Sequence, residues 1–495
     1  MVKILPRDVV RFSWDDVLRP LGPSTRLGVP VLVVLALVVV LLSTTVVIGA
    51  DAMWLVTVGR WIARHGTIPD GVPFAAADTS DWVNVPVLGE LVFAAADWFG
   101  DGGLLALHLV LVVLTLVALA TAARRLGAGD GATALAVLLV VAGSLPAFGV
   151  VRAQSLSLLF FTLLTALLRA QHLRPNKGVW LGIPLLILWG NLHGAVLVGM
   201  AVAGSYLLFS RMRDRWREAT GVGLAVLVSL WFTPGGIRTH EYYLGVLMNA
   251  AARRGEGLWA PLNVTATFDA LLILCALVIV GLAIARRLPL WEYFALAGLI
   301  GMTFSSSRHG IWLLLFAAPR AAPHLSVLVA RRGMMSAHRR GRSLCRRSTT
   351  LVGAVLALVA LAWPGVAHQA AEVRAQRVTA KTLAQTIGPL RSTVAPSPLA
   401  EWLASEGVLL WAGNPIDAFP QGRQSGYLDF LASPGERVSQ LNPTPAAAVL
   451  PQASEGSSSL RAGHFRLVAR LAGYTVFLVW DVGEAAPGGA HPLIP

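Results

Sequence analysis

Asp51 follows an unbroken apolar run at 27–49 and sits between Ala50 and Ala52, where a helix leaving a bilayer would end. Farther on, the polar residues recur in small groups among apolar ones. Glu90 and Asp97 lie in WVNVPVLGELVFAAADWFG (82–100), Arg152 and Gln154 in FGVVRAQS (148–155), Asn191 and His193 in WGNLHGA (189–195), and Arg308 and His309 in SSSRHG (305–310). A carboxylate at such a boundary can take the proton of an acceptor hydroxyl. A guanidinium flanked by an amide or imidazole can grip a phosphate through charge-assisted hydrogen bonds. Together these are the parts needed for group transfer from a membrane-bound phosphate ester. Each group also has a plainer reading. Asp51 can be a solvated helix-end acid, the arginines can snorkel to headgroups, Asn191 can cap the next helix, and His193 can be a buried helix-turn histidine. The two cysteines, Cys275 and Cys345, give neither a disulfide framework nor a metal-site spacing.

The elements that must position these residues are membrane spans. The chain of 495 residues is 55% apolar and 13% charged, with mean hydropathy +0.66, against roughly 25% charged residues in soluble domains. Eleven segments are apolar enough to be candidate spanning helices, near 27–49, 103–123, 131–149, 155–170, 178–191, 193–210, 219–234, 267–285, 290–305, 309–328 and 349–365. The first reads as an uncleaved signal anchor. With the N-terminus inside, 23 Lys and Arg fall in the inner segments and seven in the outer loops, so the bias of basic residues towards the cytoplasm predicts N-in and C-out. The net charge of +14 is then topogenic, and no nucleic-acid partner is expected.

This reading yields a basic cytoplasmic N-terminus (1–26), a transmembrane domain (27–365) with a large first outer loop (50–102), and an extracytoplasmic C-terminal domain (366–495). In the loop, 82–100 reads as an interfacial helix with Glu90, Ala94 and Asp97 on its wet face. Trp54, Trp61, Trp82, Trp98, Trp189, Trp231 and Trp259 read as an aromatic belt. In the C-terminal domain, 465–482 reads as a hairpin turning at Ala472-Gly473 and GVLLWAG (407–413) as another strand. PSPLAEWLASEG (396–407) reads as a short helix with a serine cap and Glu401 behind it. The tail from 483 reads as loose. The polar groups sort to the outer face, which suggests a cavity admitting a polar headgroup from the side of the bilayer.

An Asp at the outer end of the first span, an aromatic and Gly-Arg or Ala-Arg pairs after it (Trp54, Gly59-Arg60, Ala63-Arg64), a long first outer loop and a C-terminal outer domain resemble the GT-C-type membrane glycosyltransferases. The segments GRWIARHGTIPDGVPF, WVNVPVLGELVF, VRAQSLSLLFF, WGNLHGA and SSSRHG look more narrowly like a bacterial branch of large multi-span proteins. The resemblance implies a mainly α, polytopic fold in a bacterial inner membrane with a small C-terminal α/β domain. It implies a polyprenyl-phosphate-sugar donor and an envelope glycan, lipid or protein acceptor. Asp51 and Glu90 are then the catalytic acids, and Arg152, Gln154, Arg308 and His309 hold the donor phosphate. Arg60, His65, Trp82, Asn191 and His193 are further site candidates, and a divalent cation (Mg or Mn), if used, would fall to Asp51. Two other functions compete. A transporter or flippase of a lipid-linked or anionic solute predicts broken helices in two related halves. A non-catalytic scaffold predicts that Asp51 and Arg308 tolerate neutral replacement.

Overall fold

The computed structural model describes residues 27–285, 287–331, 349–454 and 465–479. The N-terminal basic segment, most of the basic run at 331–347 and the tail lie outside the described residues. Each of the eleven apolar segments coincides with a helix: α1 Val29–Thr45, α4 Gly103–Arg125, α5 Asp130–Gly143, α6 Gln154–Leu173, α7 Gly182–Leu192, α8 Val196–Tyr206, α9 Met212–Ser229, α11 Thr267–Ile284, α12 Leu290–Ser305, α13 Gly310–Arg331 and α14 Thr349–Ile387. By length and composition four stretches suffice to cross a membrane, 103–125, 154–173, 267–284 and 307–328. Three shorter apolar helical stretches, 29–45, 130–143 and 177–192, accompany them. Helix α14 does not stop at 365. It continues for 39 residues through Pro364, about 58 Å at 1.5 Å per residue, and joins the C-terminal domain without a break.

The segment 50–102, expected as the first outer loop, folds into α2 (Ala50–His65) and α3 (Val87–Asp97). They pack so closely that a Cβ on Gly59 of α2 would collide with the carbonyl oxygen of Glu90, and one on Gly89 with that of Leu192. This inverts the expected interfacial helix. Glu90, Ala94 and Asp97 are buried, whereas Leu88, Leu91, Val92 and Ala95 on the other side are more exposed. The reason is electrostatic: an acid at a lipid boundary is costly unless protein groups pair with it, and they do so here from within. Asp97 pairs with Arg60 of α2 and with Arg377 of α14 (2.8 Å), while Asp101 takes Arg377 (3.2 Å) and Arg374 (3.0 Å). The aromatic belt is also thinner than expected. Trp98 and Trp231 are exposed, but Trp54 and Trp189 are buried in the core.

Two small devices hold this end of the bundle together. β1 (Val47–Ile48) and β2 (Val150–Val151) form a parallel pair, with Val47 N–H donating to Gly149 O (3.0 Å) and Gly49 N–H to Val151 O (3.1 Å). In the C-terminal domain, β3 (Thr393–Val394), β4 (Ala447–Pro451), β5 (Phe465–Leu471) and β6 (Tyr474–Val479) form a sheet in the order β3-β4-β6-β5. The hairpin turns at Ala472 (φ 49°) and Gly473 (φ 83°), as the sequence predicts. The segment 407–413 forms no strand of its own. Instead Leu410 bridges both Thr393 and Ala75 of the first outer loop, with Leu410 N–H donating to Phe74 O at 2.7 Å. Helix α15 (Leu399–Ser405) lacks a side-chain cap. The Ser397 hydroxyl donates to Glu401 Oε2 (3.1 Å) instead.

Candidate functional site

The parallel pair β1/β2 brings together two residues 101 apart in sequence. Both strands exit in the same direction, so the start of α2, carrying Asp51, and the start of α6, carrying Arg152 and Gln154, lie at one end of the bundle. The close approach needs Gly49, whose Cβ would come within 2.8 Å of Val150 Cγ1. His108 of α4, buried, supports the turn from below. Its Nε2–H donates to Phe148 O (2.7 Å) and its Nδ1 meets Ser155 Oγ (2.9 Å). Asp51 occupies the first turn of α2, where unpaired backbone amides favour a carboxylate.

Arg308 comes from the short turn 307–309 between α12 and α13. Its guanidinium lies 4.1 Å over the ring of Trp259, a cation–π contact that fixes the plane of the group. The turn is pinned to the Trp259 segment by Ser306 Oγ donating to Leu258 O (3.0 Å) and Ser307 N–H to Ala260 O (3.3 Å). Asp51 and Arg152 both lie within electrostatic range of Arg308, and Arg152 and Arg308 within range of His193. Asp51, Arg152 and Arg308 are half-buried. None of the three forms an ion pair or side-chain hydrogen bond with any described residue, and Arg152 Nε is buried without a partner. One carboxylate and two guanidinium groups thus lie at one end of the bundle, none of them paired with a described residue.

The other expected residues divide. His309 borders the site, its Nδ1–H donating to Met302 O (3.0 Å) and its ring edge-on to Trp259. Trp82 stands edge-on to Trp54 at 6.4 Å and donates Nε1–H to Asp417 Oδ2 (2.9 Å). Asn191 caps no helix. Its amide donates to Ile187 O (2.9 Å) and Phe232 O (2.7 Å), tying α7 to the end of α9. Arg60 is spent on Asp97. His65 stacks on Trp61 and with Arg60 and Arg64 lines a cavity of about 400 Å3 against α15. The α2 residues that line it, Thr57 to His65, stand six to fourteen residues from Asp51, about 9–21 Å along the helix.

Glu90 is fully buried, and Asn84 Nδ2–H donates to its Oε2 at 2.9 Å. The atoms left without a partner are Glu90 Oε1 and Asn84 Oδ1 of the same pair. A proton on Oε1 gives that carboxyl the donor it lacks and Asn84 Oδ1 an acceptor's role. Burial pushes the Glu90 carboxyl up to about 8, so at neutral pH it stands protonated against Asn84.

Sequence reasoning missed Tyr242 and Asp417. Tyr242, on α10 (Thr239–Met248), lies against the backbone of Gly194 beside His193, where a Cβ would meet its Oη at 2.8 Å. Burial first, then Asp417, Tyr243, Glu90 and Asp51, hold its phenol well above the usual range. It therefore lies within electrostatic range of three acids. Burial likewise raises Asp417.

A divalent cation is a poor match for this donor set. No group of three potential His, Cys, Asp or Glu ligands assembles among the described residues. Asp51 lies within electrostatic range of the Arg308 guanidinium, which supplies positive charge of the kind a metal would bring.

No protein-family profile and no curated protein matches the sequence. Solved structures do match. ArnT from Cupriavidus metallidurans bound to undecaprenyl phosphate aligns at 16% identity over 92% of this chain and 98% of its own, with TM-score 0.51. Its apo state aligns at 15% identity over 90% and 96%, with TM-score 0.50. The archaeal oligosaccharyltransferase AglB from Archaeoglobus fulgidus, in complex with an inhibitory peptide and a dolichol-phosphate, aligns at 12% identity over 89% of this chain and 70% of its own, with TM-score 0.49. The chain has a GT-C-type fold.

Proposed function

We propose that the protein is an integral-membrane glycosyltransferase that moves a sugar from a polyprenyl-phosphate donor to a cell-envelope acceptor at the outer face of a bacterial inner membrane. The observation that carries this reading is the open trio of Asp51, Arg152 and Arg308, delivered by three separate elements. It is supported by the likeness of fold to a protein that binds undecaprenyl phosphate. The orientation, N-in and C-out with eleven spans, rests on the distribution of basic residues.

In the reaction, Asp51 accepts the proton of the acceptor hydroxyl as its oxygen attacks the anomeric carbon. A new carbon–oxygen bond forms as the bond from that carbon to the phosphate oxygen breaks, with inversion. The electron pair leaves on polyprenyl phosphate, where Arg152 and Arg308 stabilise the charge that develops. Trp259 fixes the attitude of Arg308, and Gln154 and His309 border the phosphate. Glu90, fully buried and protonated, holds the frame and takes no proton from substrate.

The test compares membranes carrying the wild type or Asp51→Asn, each given a panel of labelled polyprenyl-phosphate sugars, with release of free polyprenyl phosphate followed. The expected result is consumption of at least one donor by the wild type and a loss of about 100-fold or more in the variant, the range for removing a general base. Full activity in the variant overturns the role of Asp51. No consumption by a folded, inserted wild type overturns the transferase.

A further inference from the structure

His193 sits at the break between α7 and α8, and its ring is tied on one edge only. Nδ1 lies 2.8 Å from Ser157 Oγ, and the backbone N–H of Ala195 donates to it at 3.3 Å. Ser157 Oγ in turn accepts from Trp189 Nε1–H at 2.7 Å. The direction of this chain follows from its first member, because an indole nitrogen can only donate. Ser157 accepts that bond and has its one proton free to give to His193. An amide N–H directed at Nδ1 requires a lone pair there as well. Both neighbours therefore select the tautomer with Nδ1 bare and the proton on Nε2. Trp189 has no freedom to relax the arrangement. It is fully buried, lies 6.4 Å from the rings of both Phe161 and Trp312, and fills the space left by Gly199.

Nε2, on the opposite edge of the ring, bonds to no described residue, while Arg152 and Arg308 lie within electrostatic range of the ring. We infer that His193 donates a hydrogen bond from Nε2–H to a phosphate oxygen of the lipid donor, with Ser157 and Trp189 as positioning residues that lock its tautomer. The inference rests on the transferase reading for the identity of the phosphate. Its chemical sense is one of charge. A departing phosphate monoester carries nearly two negative charges, which the two guanidinium groups match. A neutral donor adds a third bond without a third repelling cation.

The experiment is nitrogen-15 NMR of histidine-labelled protein in lipid nanodiscs, with His193→Gln used to assign the signal, titrated with undecaprenyl phosphate. The expected spectrum has a bare Nδ1 and a protonated Nε2, with the Nε2–H signal moving downfield as the lipid is added. Ser157→Ala is expected to mix the tautomers and slow donor consumption by about 10- to 100-fold, the range of one hydrogen bond to a charged group. Ser157→Thr, which keeps the hydroxyl, is expected to restore both. A proton on Nδ1, no response to the lipid, or an equal response to inorganic phosphate overturns the inference even if the wild type consumes donor. The expected spectrum and lipid response in a wild type that consumes no donor would leave this site standing and remove the transferase alone.

Discussion

Glu90 gives the sharpest test of how the outer site is framed. Its carboxyl is fully buried and raised from 4.5 to about 8 by burial. In the unfolded chain it ionises near the ordinary value, so folding holds a proton that the unfolded state gives up between those limits. The stabilisation is complete below about pH 4.5 and is lost as pH rises through about 8. With each pH unit between those limits worth about 1.4 kcal/mol, the stabilisation falls by about 4 kcal/mol between pH 5 and pH 9, more than half of it before pH 7. Glu90→Gln keeps the shape and the bond from Asn84 but cannot ionise. Thermal unfolding followed by tryptophan fluorescence in detergent, stepped across that range, should show the wild type losing several degrees relative to the variant as pH rises. The comparison is differential because Glu401 and Asp417, also raised by burial, add a slope common to both proteins. Parallel pH curves for the two would refute a protonated Glu90 and return it to the list of catalytic bases.

Two further perturbations probe the packing behind the site. Gly59→Ala places a methyl against the backbone oxygen of Glu90, which no rotamer can relieve. It should lower stability by about 1–3 kcal/mol and donor consumption with it, whereas Gly281→Ala, in open space on α11, should leave both unchanged; equal melting of the two variants would sink the argument. Glu292, fully buried, binds Arg169 (2.9 Å) and Arg320 (2.7 Å) and so joins α6, α12 and α13. Glu292→Gln strands two guanidinium groups and should cost about 3–5 kcal/mol, read as a fall in detergent melting temperature, and an unshifted transition would show that the trio contributes nothing.

What the sequence disclosed, and what it hid, follows from the range of the interactions involved. Apolar length is a local property, and all eleven apolar segments proved helical. The continuation of α14 was also legible, because no Gly or Pro interrupts 366–387. It was overlooked because its polarity suggested a new domain. The face of α3 was misjudged for a different reason. Periodicity shows that Glu90 and Asp97 share a side, but cannot say whether water or another helix meets that side. Gly59 was the available clue, a small residue in a helix of larger ones. Asp51, Arg152, His193 and Arg308 could be named because each interrupts apolar sequence at one end of a span. That the first two lie at one end of the bundle is decided by the pair β1/β2, two residues on each side, too short to leave any pattern. Tyr242 and Asp417 carried no signal at all, since their partners lie on other elements of the chain.

The freedom of Asp51 is the part of the design that composition could never reveal. This protein pairs the acids it buries near the membrane: Asp97 and Glu292 each hold two arginines, and Glu90 is kept neutral against Asn84. Against that habit, Asp51 within electrostatic range of Arg308 and without a bond to it represents attraction held in reserve. Closing such a pair would be favourable in a half-buried setting. The rigid mounts — β1/β2 beneath Asp51 and Arg152, Trp259 beneath Arg308 — keep it from closing. Groups held apart in this way are arranged for something that enters between them, with a proton for the carboxylate and negative charge for the cations. A sugar phosphate ester with a hydroxyl acceptor brings both.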